Sequence, residues 1–97
     1  MLYLVNSNDS IKTLLSFLES DDSVIIFCDN KIDDALIDNV IDKASLIKIV
    51  DRDHKIALDS IEGQCDLKFI KRNLLVVKAK EASQFIVRYN GKIVSLL

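Results

Sequence analysis

The chain opens on a short apolar run, Leu2–Val5, and returns to such runs at Val24–Cys28, Leu46–Val50 and Leu74–Val77. None alternates strictly with polar residues, and only Lys48 interrupts one of them, which predicts strands buried on both faces. Between the runs the period of the apolar positions changes. Ser7, Asn8, Asp9 and Ser10 supply helix N-cap candidates, and Ile11, Leu14, Leu15 and Leu18 follow at the spacing of one helical face. Ser20-Asp21-Asp22-Ser23 ends that pattern, and Asp29-Asn30 closes the second apolar run. Asp33 and Asp34 suit the first turn of a second helix, where carboxylates meet the positive end of the helix dipole. Ala35, Leu36, Val40 and Ile41 predict its core stripe, with Asp38 and Asp42 facing away and Lys43 near its end.

Beyond the third run, Asp51-Arg52-Asp53-His54 reads as a polar turn. Ile56, Ala57, Leu58 and Ile61 predict a short helix ended by Gly63, and Leu67–Ile70 reads as extended. The last quarter admits two readings. Ala82, Phe85, Ile86 and Tyr89 fit a helix, followed by a turn at Asn90-Gly91 and a strand over Ile93–Leu96; Ile86–Ser95 also fits a hairpin about Asn90-Gly91. With the helix reading, which the pattern favours, strands and helices alternate throughout. The expectation is one α/β domain over residues 1–97: a small three-layer sandwich with a mostly parallel sheet of about five strands and helices on both faces. Ligands and partners of such sheets gather at the carboxyl ends of the strands, here Asn6–Asn8, Cys28–Asn30, Val50–His54 and Lys78–Lys80.

Composition narrows the picture. Ile, Leu and Val make up 34 of the 97 residues, enough apolar surface to offset chain entropy and exclude disorder. A domain of this size still buries only about 60–65% of its unfolded surface, so association would add core. Two cysteines make no disulfide framework and point to a reducing, cytoplasmic setting. No apolar run approaches the ~20 residues of a membrane span, and MLYLVNSNDS lacks the basic flank of a signal peptide. Pro is absent and Gly occurs only at Gly63 and Gly91, which excludes glycine-rich phosphate-binding loops. Cys28, Cys65 and His54 are the only soft ligands and form no metal-binding spacing, so neither metal nor cofactor is expected. Charge is unevenly placed: residues 1–47 sum to −6 and residues 48–97 to +4, for a net −2. The basic excess at Lys68, Lys71, Arg72, Lys78 and Lys80 reads as solvated surface, or as contact with a partner or another copy. Phe69 is the only aromatic nearby, which disfavours direct nucleic-acid contact.

The segments MLYLVNSN, LLSFLESDDSVIIFCDNKIDDAL and LIKIVDRDHKIAL, in that order and spacing, resemble the DsrE/DsrF/DsrH superfamily, closest to its DsrH/TusB-like branch. The resemblance covers residues 1–62 better than the remainder. Members carry a Gln/Glu-Asp-Gly-like corner after the second strand, where this chain has Cys28-Asp29-Asn30, and a Leu-x-x-Asp-like turn after the third, which Val50-Asp51-Arg52-Asp53 matches loosely. The resemblance implies a sulfur relay, in which TusB-, TusC- and TusD-like chains assemble into heterohexamers and pass persulfide sulfur toward 2-thiolation of a tRNA wobble uridine. The accepting cysteine of DsrE- and TusD-type chains aligns with about Val50 or Asp51 here, and the first-helix cysteine of some DsrH-type chains falls within Leu14–Phe17, which has none. The resemblance therefore implies a non-catalytic subunit whose partners are TusC/DsrF-like and TusD/DsrE-like chains.

The residues that could carry more than structure are few. A persulfide-bearing cysteine needs exposure and a lowered pKa, from a cation or a helix N-terminus. Cys28 ends an apolar strand, but the carboxylates Asp29, Asp33 and Asp34 beside it in sequence oppose a thiolate. Cys65, in Gly63-Gln64-Cys65-Asp66, reads as a loop thiol with Lys68 nearby. Either would serve the alternative reading, a stand-alone homo-oligomeric sulfurtransferase-type protein. His54, beside Asp51 and Asp53, has the makings of a proton-transfer pair but suits partner contact better. The expected contact residues are Asp29, Asn30, Asp51, Arg52, Asp53 and His54.

Overall fold

The computed structural model describes residues 1–28, 31–50 and 74–97. Strand β1 (Leu2–Val5) leads through helix α1 (Asn8–Leu15) to β2 (Ser23–Phe27), then through α2 (Asp34–Lys43) to β3 (Leu46–Val50). Further on come β4 (Leu74–Val77), α3 (Ala79–Arg88) and β5 (Ile93–Ser95). The helix expected near Ile56–Ile61, its end at Gly63 and the extended Leu67–Ile70 lie outside the described residues. The strands form one sheet in the order β4-β3-β2-β1-β5, and every neighbouring pair is parallel. The α/β sandwich expected from the pattern is thus present, with a wholly parallel sheet. The hairpin reading of Ile86–Ser95 is excluded: its first three residues belong to α3, and β5 runs parallel to β1 with Leu2 opposite Ile93.

The handedness of parallel crossovers explains which helix covers which face. The steps β1 to β2 and β2 to β3 move along the sheet in one direction, so right-handed connections place α1 and α2 on the same side. The step from β4 to β5 returns across the whole sheet, and the same rule sends α3 to the opposite side. The packing follows. Tyr3, Val5, Val24, Ile26, Ile47 and Ile49 meet Ile11, Leu14, Ile37, Val40 and Ile41 from α1 and α2 in one core. Leu2, Ile25, Val50 and Val77 point the other way and meet Ala82, with Phe85, Ile86 and Tyr89 of α3 packed against them. The central strand β2 contributes to both cores, which is why its run shows no alternation.

Two details of patterning differ from expectation. The core stripe of α2 is Ile37, Val40 and Ile41, continued by Ala44 at the C-cap; Ala35 is exposed, and Asp38 is half-buried. The cap sets this phase. Asp33 accepts a hydrogen bond from the Ala35 N–H at 3.1 Å, and buried Ile32 and Ile37 then occupy the two positions of a hydrophobic staple. The second strand begins at Ser23 and ends at Phe27, one residue earlier than the apolar run. Lys48, the polar interruption of β3, lies half-buried on the α3 side. Its ammonium sits 4.7 Å from the centre of the Phe85 ring, an exchange of water for an aromatic face.

At the amino end of the sheet Tyr3 is buried, its hydroxyl donating to the Met1 sulfur at 3.1 Å and its ring tilted against Phe17 at 5.4 Å. Burial holds the phenol above its ordinary pKa of 10.0, and the carboxylates of Asp22, Glu19 and Asp21 push in the same direction. A raised folded-state pKa means the native protein holds this proton more tightly than the unfolded chain. The contribution of Tyr3 to stability is therefore complete below pH 10.0 and falls as pH rises from there through the folded value. Tyr3→Phe is expected to remove that alkaline loss, measured as the difference between the two proteins in urea midpoint across the alkaline range. An unchanged alkaline slope would contradict it.

Candidate functional site

At the carboxyl edge of the sheet, the ends of β1, β2 and β3 stand beside the starts of α1 and α2. Ser7 caps α1 with extended backbone, its hydroxyl accepting from the Ser10 N–H at 3.1 Å. The return half of the capping box, usually a Glu or Gln, is made by Ser10. Its buried hydroxyl accepts from the Ser7 N–H at 3.1 Å and the Asn6 N–H at 3.2 Å, and donates to the Ser7 carbonyl at 3.0 Å. The turn leaving β1 is thereby closed on itself. Asn8, the first residue of α1, accepts from the Asp33 N–H through Oδ1 at 2.9 Å. That bond ties the start of α1 to the N-cap of α2 across 25 residues, so the two positive helix ends stand side by side along this edge. Ser7→Ala removes the cap and one arm of the network. The expected loss is about 1 kcal/mol, read from the urea midpoint.

Next to this seam, the Cys28 N–H donates to the Val50 carbonyl at 3.0 Å, extending the β2–β3 ladder by one residue. Cys28 is half-buried and packs against the core under α1 and α2. Val50, one of the two positions, with Asp51, at which the resemblance would put the sulfur-accepting cysteine, is fully buried on the α3 side. Lys78 and Lys80 are exposed at the carboxyl end of β4 and the start of α3. Of the other expected site residues, Asp29, Asn30, Asp51, Arg52, Asp53, His54 and Cys65 lie outside the described residues, as do Lys68, Lys71 and Arg72. Among the described residues no group of His, Cys, Asp or Glu is placed to hold a metal ion.

No family model matches the chain, and no curated protein matches it.

The sequence pattern marks the start of α1 without assigning its parts. Four consecutive polar residues are equal cap candidates on paper; the structure gives the cap to Ser7, the return bond to Ser10 and a cross-link to Asn8. No pattern signals the Asn8–Asp33 bond, because its partners are joined only by the fold. Among the described residues, no helix is long and apolar enough to cross a membrane.

Proposed function

We propose that this chain is a non-catalytic subunit of a sulfur-relay assembly of the DsrEFH/TusBCD kind. It packs beside TusC/DsrF-like and TusD/DsrE-like subunits and supports the passage of persulfide sulfur toward 2-thiolation of a tRNA wobble uridine. The segments that carry the resemblance, residues 1–62, begin β1-α1-β2-α2-β3, a parallel layer suited to presenting strand ends to neighbours. The observation that carries the reading is the end of β3. A sulfur acceptor there needs a thiol, and the chain offers a sealed valine, Val50, followed by Asp51. The neighbouring Cys28 is half-buried and packs against the core beneath α1 and α2. The role left to this edge is shape and hydrogen bonding against a sister subunit that carries the reactive sulfur. Affinity purification of the tagged chain from its own cells tests the reading: recovery of TusC- and TusD-like chains in fixed ratio is expected, and a tag that recovers neither overturns it.

A further inference from the structure

The outer edge of β5 carries an inference that the relay reading does not need. β5 is the terminal strand of the sheet, and no described strand pairs with its outer side. Its inner side is fixed by bonds that also give the direction of every peptide group. The Leu2 N–H donates to the Lys92 carbonyl at 2.9 Å, and the Leu96 N–H donates to the Leu4 carbonyl at 2.8 Å. Successive residues of a strand turn their N–H and C=O to opposite sides, so Lys92, Val94 and Leu96 face β1 while Ile93 and Ser95 face outward. The Leu97 N–H is taken locally by the Ser95 hydroxyl at 3.4 Å. Natural edges are usually blunted by Lys, Pro or a bulge. This one has no charged side chain and no proline from Ile93 to Leu97, and Ile93 and Leu97 are exposed.

We propose that β5 pairs antiparallel with β5 of a second copy about a twofold axis at Val94, joining the two sheets into one. In that register Ile93 exchanges both backbone bonds with Ser95 of the second copy, and Ser95 does the same with the copy's Ile93. Both outward-facing strand residues are satisfied, and nothing outside the strand is required. Val94 meets its own copy as the close, non-hydrogen-bonded pair, on the face where it already packs against the α1–α2 core. Lys92, the nearest charge, falls opposite the neutral Leu96 of the copy, so no like charges oppose one another. A neighbouring register would use either Gly91, in the bend before the strand, or the Leu97 N–H already bonded to Ser95. About Val94 each outward-facing residue meets its counterpart in a second copy with no like charges opposed, as an isologous contact requires. Three-residue strands cover less than the ~1,000 Å² of a stable interface, so the pairing is weak and dependent on concentration.

A cysteine scan on a Cys28→Ala, Cys65→Ala background tests the register, with sedimentation of the unaltered chain beside it. Val94→Cys faces itself at the separation a disulfide spans and is expected to cross-link into dimers at least about tenfold faster than Ser95→Cys or Ile93→Cys alone. A mixture of Ile93→Cys and Ser95→Cys is expected to cross-link to each other. Ile93→Pro removes only an outward N–H, so it should keep the fold while abolishing the rise in sedimentation mass with concentration. Equal cross-linking rates at the three positions, or an unaltered chain that stays monomeric up to about millimolar concentration, overturns the proposal. Because only copies of this chain are present, the outcome is separate from whether sister subunits are recovered from cells.

Discussion

Replacing Ile26 by alanine is expected to cost about 3–5 kcal/mol and to lower the melting temperature by roughly 15–30 °C. Ile26 is fully buried in the central strand, with Val5 and Ile49 as its register partners on either side. Its side chain fills the layer between the sheet and the α1–α2 pair, where neighbours belong to elements that cannot all move inward at once. The loss therefore includes a retained cavity as well as the transfer free energy of the deleted atoms. A domain of this length holds roughly 5–15 kcal/mol in total, so the variant sits near the edge of folding. Urea unfolding followed by circular dichroism checks it, with Val87→Ala as the control. Val87 is 84% exposed, and its truncation is expected to change stability by less than about 0.5 kcal/mol. Equal effects at the two sites would contradict the placement of the core.

Asp22→Ala is expected to cost about 2–3 kcal/mol although the residue lies in a loop and touches no proposed site. Asp22 is buried before β2, and its two carboxylate oxygens hold separate parts of the chain. Oδ2 accepts from the Glu19 N–H at 2.9 Å, closing the turn after α1, and Oδ1 accepts from the Met1 amino group at 3.2 Å. The Met1 side of that ion pair is 41% exposed and is screened, so most of the expected loss comes from the Glu19 N–H left without an acceptor. The Asp22 carbonyl also accepts from the Ser45 N–H and hydroxyl, at 2.8 and 2.9 Å, and those bonds survive the substitution. Asp22→Asn keeps one acceptor oxygen and is expected to lose about half as much, a ranking that urea midpoints of the two variants resolve. A change of under about 0.5 kcal/mol in Asp22→Ala would remove the corner from the account.

The strands were legible because the sheet is buried on both sides. Runs such as Val24–Cys28 have no polar face to mimic a helix, and the termini of β1, β3 and β4 coincide with the edges of their apolar runs. The helix of the last quarter was legible from Ala82, Phe85, Ile86 and Tyr89, which all lie against the second core. The Asn90-Gly91 pair that imitates a hairpin instead follows the helix end. A Cβ at Gly91 would meet the Tyr89 ring at 2.9 Å, so close passage of the chain over that ring accounts for the glycine. The stripe of α2 was legible at Val40 and Ile41, with Leu36 packed beside them, but Ala35 stood in for Ile37 because both look apolar until the Asp33 cap fixes where the helix begins. Asp22 was invisible for another reason. A carboxylate in a run of Ser and Asp reads as a solvated turn, and only the fold brings Met1 and Ser45 to it. Of the candidate site, Cys28 stands just past the end of β2, at the end of its apolar run. The sequence did not reveal the seam joining Asn8 to Asp33, which depends on two helix starts meeting in space.

The most direct measurement of the relay reading is the mass of each chain after sulfur loading. The chain is reconstituted with its TusC/DsrF-like and TusD/DsrE-like sisters, exposed to a persulfide donor and separated for intact-mass analysis. The account predicts one added sulfur on the TusD/DsrE-like chain and none on this one, unchanged when Cys28 and Cys65 are both replaced by alanine. An added sulfur on Cys28 or Cys65 would contradict it and make this chain a carrier in its own right.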